Sequence, residues 1–120
     1  MVLEQKKKSF EKLLKRNIST IIYRKIKDPR IGFVTITRIG LSNDLHSAKV
    51  YVSVLGTKEE QEKSMKGLYS ATNFIKTELV SELKNCRFIP AISFCYDHEL
   101  EKVHQVMIKI ENLSRENKDR

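Results

Sequence analysis

The chain has 120 residues, 40% of them hydrophobic, and a formal net charge of +8. This size and composition favour one globular domain and argue against wholesale disorder, and the charge favours a polyanionic partner such as nucleic acid or an anionic membrane surface. Two cysteines give no disulfide framework, there is no secretory signal, and no apolar run approaches the ~18 residues of a membrane span, so we expect a cytoplasmic protein.

The positive charge is concentrated at the start of the chain. Residues 1–30 contain ten Lys or Arg residues against three acidic ones, which leaves +7 of the +8 there. Residues 57–84 contain five of each sign, which cancel. A concentrated field of this kind is better evidence for a binding surface than a high isoelectric point alone.

Residues 5–27 are predicted to form one long amphipathic helix that ends before Pro29 and Gly32. Its apolar residues recur at helical spacing and form a stripe: Phe10, Leu13, Leu14, Ile18, Ile21, Ile22 and Ile26. Its other side carries Lys8, Lys12, Lys15, Arg16, Tyr23 and Lys27.

Two strands are predicted next, over 33–39 and 46–55. The first is rich in β-branched residues, and the second alternates valine with polar residues in the manner of a half-buried strand. The polar residues Ser42, Asn43 and Asp44 lie between them and predict a turn, so we expect an antiparallel hairpin.

A second helical region begins after Thr57, which with Glu60 fits a capping box. The apolar period continues to about residue 85, but Asn73 lies inside it. We therefore predict two helices, 58–70 and 73–85, that meet at a bend.

The last predicted elements follow Pro90. Residues 91–96 alternate as a third strand, and Asp97 can N-cap a final helix over 98–110. Residues 111–120 are polar, and we expect a flexible tail.

This order predicts an α+β domain over residues 1–110, in which a three-stranded sheet hides one face under helices. The alternation in the second strand requires such a covered face, and the opposite face can remain open to solvent.

No catalytic motif occurs in the chain. The four glycines form no phosphate-binding loop, and no serine lies in a Gly-x-Ser-x-Gly elbow. Cys86, Cys95, His98 and His104 could supply four zinc ligands, and Cys95-x-x-His98 has a tolerable spacing. Cys95, however, lies within a predicted strand, the other spacings match no known zinc pattern, and free cysteine usually packs as a small hydrophobe. We therefore predict no enzyme activity, no cofactor and no metal.

Binding is the function that remains. The basic side of the first helix can approach a phosphate backbone, and Tyr23 among the cations can stack on a base or ribose. A merely solvated helix face is the alternative, but the concentration of charge favours binding. A membrane-surface helix is disfavoured because the apolar stripe is needed to cover the sheet.

Two blocks of sequence carry a resemblance to a known family. They are Lys-Asp-Pro-Arg-Ile-Gly-Phe-Val-Thr-Ile-Thr at 27–37 and Ala-Lys-Val-Tyr-Val-Ser-Val at 48–54, with further matching positions such as Phe74, Pro90 and Asp97. Over about residues 5–110 the chain resembles ribosome-binding factor A.

The resemblance implies a KH-type (type II) fold of order α-β-β-α-α-β plus a C-terminal helix. It also implies a monomeric cytoplasmic assembly factor. Such a factor binds the free, immature small (30S) ribosomal subunit and its 16S rRNA, but not full ribosomes. It assists late maturation of that rRNA, including processing of the 5′ end region, and then leaves.

The family replaces the Gly-x-x-Gly loop of KH domains by an Ala-x-Gly kink between two helices. The matching positions here are Ala71, Thr72 and Asn73, so the glycine is absent. Asparagine tolerates left-handed backbone geometry, which favours a kink. Close approach of a nucleic-acid backbone is disfavoured without glycine, so binding should depend on shape and phosphate contacts.

The predicted RNA-binding residues are Lys8, Lys12, Lys15, Arg16, Tyr23, Lys27 and Arg30, with Lys49, Lys76 and Arg87 as extensions. The alternative function is a general nucleic-acid-binding or protein-interaction adaptor without a ribosomal role. Equal affinity for random duplex DNA and for small subunits would favour that alternative.

Overall fold

A computed structural model describes residues 2–86, 89–99 and 109–111. Five elements follow in the order α1 (Val2–Lys25), β1 (Phe33–Leu41), β2 (Ser47–Leu55), α2 (Lys58–Glu82) and β3 (Ala91–Tyr96). The predicted α+β class is confirmed, and so is the three-stranded sheet. The predicted helix 98–110 and tail 111–120 lie mostly outside the described residues, although 98, 99 and 109–111 are helical.

The sheet has the strand order β1-β2-β3. β1 and β2 pair antiparallel, which confirms the hairpin, and β3 pairs parallel to β2. The register of β1 shifts between Ile36 and Arg38, so Thr37 is an extra residue in that strand. This shift brings Arg38 opposite Tyr51, on the face of the sheet that the helices do not cover.

The hairpin turn is held by Asp44, whose carboxylate accepts from the Ser42 hydroxyl at 2.6 Å and from the His46 N–H at 3.0 Å. The hydrogen bond from Ser42 is the main reason why the pKa of Asp44 is lowered. Leu45 follows with a φ of 63°, which is costly for a side chain of this kind. Leu45 is partly buried against the core, and this packing offsets the strain.

The core lies between the helices and one face of the sheet. The helices contribute three fully buried residues each: Leu14, Ile18 and Ile21 from α1, and Leu68, Ile75 and Leu79 from α2. Val50 and Val52 of β2 are equally buried, as the alternation of that strand predicts. The predicted apolar stripe of α1 is therefore confirmed, because its remaining members also pack against this core.

α2 is a single helix of 25 residues, so the predicted division into 58–70 and 73–85 is wrong. The buried stripe passes through Leu68, Ile75 and Leu79 without interruption, and tertiary burial keeps the helical period. The hydroxyl of Thr72 donates to the Leu68 carbonyl at 3.0 Å, within the same helix. Ala71, Thr72 and Asn73 therefore do not separate two helices.

α2 begins where its sequence predicts, but the Glu60 side chain returns to the Thr57 hydroxyl and not to the backbone N–H of a full capping box. Thr57 has extended backbone geometry, and its hydroxyl oxygen accepts from the Glu60 N–H at 3.2 Å. The Glu60 carboxylate in turn accepts from the Thr57 hydroxyl at 3.2 Å. Thr57 is thus the N-cap that places the start of α2 directly after β2.

The segment between α1 and β1 is fixed to α2 by a buried serine. Ser64 is 1% exposed; its hydroxyl accepts from the Gly32 N–H at 3.0 Å and donates to the Arg30 carbonyl at 3.2 Å. Gly67 lies one turn further along α2, where a Cβ would stand only 2.5 Å from Ile31. This close approach positions the segment that carries Lys27 and Arg30.

Candidate nucleic-acid interface

One side of α1 carries a row of exposed basic residues. At about 100° per residue, these side chains fall within an arc of roughly 100°, opposite the buried stripe of the same helix. They are all exposed, and together with one aromatic residue they form what is called here the basic face: Lys8, Lys12, Lys15, Arg16 and Tyr23. The structure thus brings together five of the predicted RNA-binding residues.

The charge of the basic face is of one sign. Among the described residues, no ion pair or hydrogen bond occupies the side chains of its four cations. Glu11 is the acidic residue in the middle of α1, and its carboxylate accepts from the Leu41 N–H at 3.4 Å. That carboxylate is therefore turned towards β1 and does not neutralise the neighbouring lysines.

Lys27 and Arg30 lie beyond the end of α1 and differ in their surroundings. The Arg30 guanidinium binds the Asp28 carboxylate through its Nη2 at 2.7 Å and its Nε at 3.1 Å. These hydrogen bonds lower the pKa of Asp28 and raise the pKa of Arg30. Lys27 is exposed and makes no ion pair with a described residue, so it extends the free positive charge, whereas Arg30 is largely neutralised.

Two of the three predicted extensions, Lys49 and Lys76, do not join this surface. Lys49 is exposed on β2, opposite Gly40 and Ser93, on the open face of the sheet. Glu78 marks the side of α2 that faces α1, because it binds Lys25. Lys76 is two residues before Glu78 and therefore lies about 200° around the helix from that side. Arg87 lies outside the described residues. An RNA-binding role for these three residues remains a prediction.

The positions that match the family's kink offer no loop for a backbone clamp. Ala71 and Thr72 are half-buried and Asn73 is exposed, and all three are helical. Their backbone N–H groups have carbonyl partners one turn earlier in α2, because the three residues lie far from either end of the helix. A phosphate therefore has no free backbone donors to bind there.

Sequence reasoning missed two exposed features. Phe33 is 80% exposed at the start of β1, and it lines a groove together with Tyr23, which is 88% exposed. On the open face of the sheet, the Arg38 guanidinium lies 3.9 Å from the centre of the Tyr51 ring. The alternation of β2 predicts that Tyr51 lies on the open face. The position of Arg38 could not be predicted in this way, because the register shift in β1 interrupts the alternation of that strand.

The described residues contain no group of three or more His, Cys, Asp or Glu side chains that could hold a metal ion. His104, one of the four ligands weighed from sequence, is outside them. No described helix is long and apolar enough to cross a membrane. The buried stripe of α1 is occupied by the core, which leaves only its polar face for a partner.

The family model of ribosome-binding factor A matches residues 6–110 of the chain. The ribosome-binding factor A of Natranaerobius thermophilus is 42% identical over 114 residues, which cover 93% of this chain and 86% of that relative. The match includes all of α1, β1, β2, α2 and β3 except the first residues of α1.

Solved structures show the same likeness. The crystal structure of ribosome-binding factor A from Thermus thermophilus has a TM-score of 0.64 and 25% identity, covering 73% of this chain and 91% of that one. A homology model of the Thermus thermophilus factor, fitted into the cryo-EM map of a 30S complex with it, has a TM-score of 0.59 and 25% identity. That match covers 70% of this chain and 87% of the fitted one.

Proposed function

This chain belongs to the ribosome-binding factor A family, and on that premise we propose that it binds the small (30S) ribosomal subunit through the basic face of α1. The observation that carries the proposal is the row of four cations without ion pairs to described residues on one side of a rigid helix. A relative fitted in a 30S complex supports the choice of partner.

The basic face suits structured RNA because its cations are fixed in position by the fold. The other side of α1 is anchored by Leu14, Ile18 and Ile21, so the helix cannot turn away from the core. Lysine and arginine rows of this kind bind phosphates and position a protein on RNA without reading sequence. Recognition then depends on the shape of the RNA, as is usual for double-stranded regions.

The chain acts by binding and not by catalysis. It stabilises one conformation of the 16S rRNA in the immature subunit, assists late maturation including processing of the 5′ end region, and then dissociates. Membership of the family supports this role, and the dependence on phosphate contacts supports reversible binding, since such contacts weaken steeply with salt.

Co-sedimentation in a sucrose gradient tests the proposal. The protein should travel with purified free small subunits at low salt and not with full ribosomes. Arg16→Glu combined with Lys27→Glu should shift it towards the top of the gradient, while its thermal midpoint stays nearly unchanged because both residues are exposed. A matched control is Lys58→Glu combined with Lys66→Glu on α2, which reverses two exposed lysines away from the basic face.

Three outcomes would contradict the proposal. If the wild-type protein stays at the top of the gradient with free subunits at low salt, it is not a small-subunit factor. If it binds random duplex DNA as tightly as small subunits, the general adaptor is the better description. If the α2 control weakens binding as much as the α1 variant, net charge matters and the basic face does not.

A further inference from the structure

A groove of about 570 Å³ runs between the C-terminal half of α1 and the start of β1. Two exposed aromatic residues are among those that line it, Tyr23 on α1 at 88% exposure and Phe33 on β1 at 80%. The groove is also lined by aliphatic residues that are only partly buried, including Ile22, Ile26 and Val34. The groove is therefore lined mainly by apolar residues and includes an exposed aromatic residue from each of the two elements.

We propose that this groove binds an unpaired base of single-stranded RNA, stacked on Tyr23 or Phe33. The inference deepens the proposed function and rests on it, because it adds a single-stranded segment to the RNA that the basic face contacts. Aromatic side chains beside a positively charged track are the usual device for binding single strands, since every base has a π-face.

The charges around the groove favour RNA over a peptide. Tyr23 belongs to both the groove and the basic face, seven residues after Arg16 and therefore two turns along the same side of α1. Lys27 is exposed just beyond the helix. The carboxylate that lines the groove is that of Asp28, and it is already bound to Arg30. A strand whose base enters the groove thus finds free cations for its phosphates and little repulsion.

The wall formed by β1 supplies polar groups as well. Among the described residues β1 pairs only with β2, so the peptide groups of its other edge have no strand partner there, and residues 32–36 of this strand and its entry line the groove. Such groups on an edge strand are unpaired donors and acceptors. In the groove these peptide groups can form hydrogen bonds with the edge of a base while its face stacks on an aromatic ring. The groove then recognises both the edge and the face of the base.

The test uses an eight-nucleotide single-stranded RNA with one 2-aminopurine base, and an RNA duplex of equal length. Binding is followed by fluorescence anisotropy, and stacking by 2-aminopurine emission. Tyr23→Leu combined with Phe33→Leu should lower single-strand affinity by roughly five- to 150-fold for one base and abolish the change in emission. Duplex affinity should change by less than about twofold, since it depends on phosphate contacts.

The control variant is Tyr69→Leu, which removes a ring that is 56% exposed on α2 and lies outside this groove. It should bind both RNAs as the wild type does. Tyr23→Phe keeps the ring without its hydroxyl and should retain single-strand binding. Failure of this variant to bind would overturn stacking as the source of the affinity.

Three outcomes for the Tyr23→Leu, Phe33→Leu double variant decide whether the groove binds a base. Unchanged single-strand affinity with weaker binding to small subunits would overturn the proposal and assign the groove to a ribosomal protein segment. If the double variant binds the single-stranded RNA and the small subunit as the wild type does, the proposal is overturned, while small-subunit binding by the basic face remains intact. Loss of single-strand affinity in the double variant, with the Tyr69→Leu control unaffected, would support it.

Discussion

α1 and α2 are alike on their buried sides and different on their exposed sides. Each is a helix of 24 or 25 residues with three residues that are 0% exposed in the same core. α1 presents a row of cations without carboxylate partners among the described residues, whereas α2 balances lysines with glutamates, for example Lys63 with Glu59. The difference shows that the core does not dictate the exposed pattern, and the pattern on α1 agrees with the binding role proposed for it.

Equivalence of the buried sides is tested by truncating one fully buried residue in each helix. Ile18→Ala and Ile75→Ala should each lower the free energy of unfolding by about 2–5 kcal/mol, because each leaves a cavity in the core. Urea unfolding measures both, and Val80→Ala on the 52% exposed Val80 should stay within about 0.5 kcal/mol of the wild type. A loss well under about 1 kcal/mol for either buried residue would show that its helix carries little of the core.

The difference between the exposed sides is tested by the salt dependence of RNA binding. Lys12→Gln combined with Arg16→Gln should reduce the slope of log affinity against log salt by about 0.7–0.9 for each phosphate that the variant no longer binds. Lys58→Gln combined with Lys66→Gln on α2 should leave the slope unchanged. Equal reductions in the two variants would mean that RNA contacts both helices alike.

Much of the fold could be predicted because tertiary burial follows the local periodicity. The stripe of α1, the alternation of β2 and β3 and the N-cap Thr57 all occur where the pattern indicates. The division of α2 was wrong because Asn73 has only a weak intrinsic tendency to end a helix. The burial of Ile75 and Leu79 overrides that tendency.

The candidate site was predictable only where helical spacing determines it. Spacing places the basic face on one side of α1, but it does not show that Arg30 is bound by Asp28 two residues away. The exposure of Phe33 depends on which face of β1 meets the helices, and a run of β-branched residues does not indicate that. The apposition of Arg38 and Tyr51 depends on the register shift at Thr37, which only strand pairing determines.

The contact between α2 and the segment after α1 is tested by Gly67→Ala. Alanine is favoured over glycine inside a helix by about 1 kcal/mol. Its Cβ would, however, stand 2.5 Å from Cγ1 of Ile31, which is too near the backbone to move easily. We expect net destabilisation of up to about 2 kcal/mol in urea unfolding, since overpacking costs about 1–3 kcal/mol and the helix propensity of alanine offsets about 1 kcal/mol of it.

Ile31→Ala provides the matched background for this test, because it removes the atoms that the new Cβ would meet. Gly67→Ala should cost less in that background than in the wild type, and the two changes should therefore be non-additive. A stabilising Gly67→Ala would show that the segment carrying Lys27 and Arg30 shifts freely, and that α2 does not position it.

The smallest effect is expected for Lys25, the α1 cation that resembles those of α2. Its Nζ binds the Glu78 carboxylate at 2.6 Å and lies 3.5 Å from that of Glu82. The hydrogen bond to Glu78 is the main reason why the pKa of Lys25 is raised from its ordinary value of 10.5. The pair is exposed and screened by salt, so Lys25→Met should lower stability only slightly.

The sign of the pH dependence follows from the raised pKa of Lys25. The folded state holds the proton more tightly than the unfolded state, so the stabilisation is complete below pH 10.5 and is lost as the pH rises through the folded pKa. The gap in unfolding free energy between wild type and Lys25→Met should therefore be constant between neutral pH and the ordinary pKa of lysine, and it should close as the pH rises through the higher pKa of the folded state. Because Lys25 is already paired, the same variant should leave the salt slope of RNA binding unchanged, unlike Lys12→Gln with Arg16→Gln. A reduced slope for Lys25→Met would mean that RNA displaces Glu78, and that pairing does not distinguish the two helices.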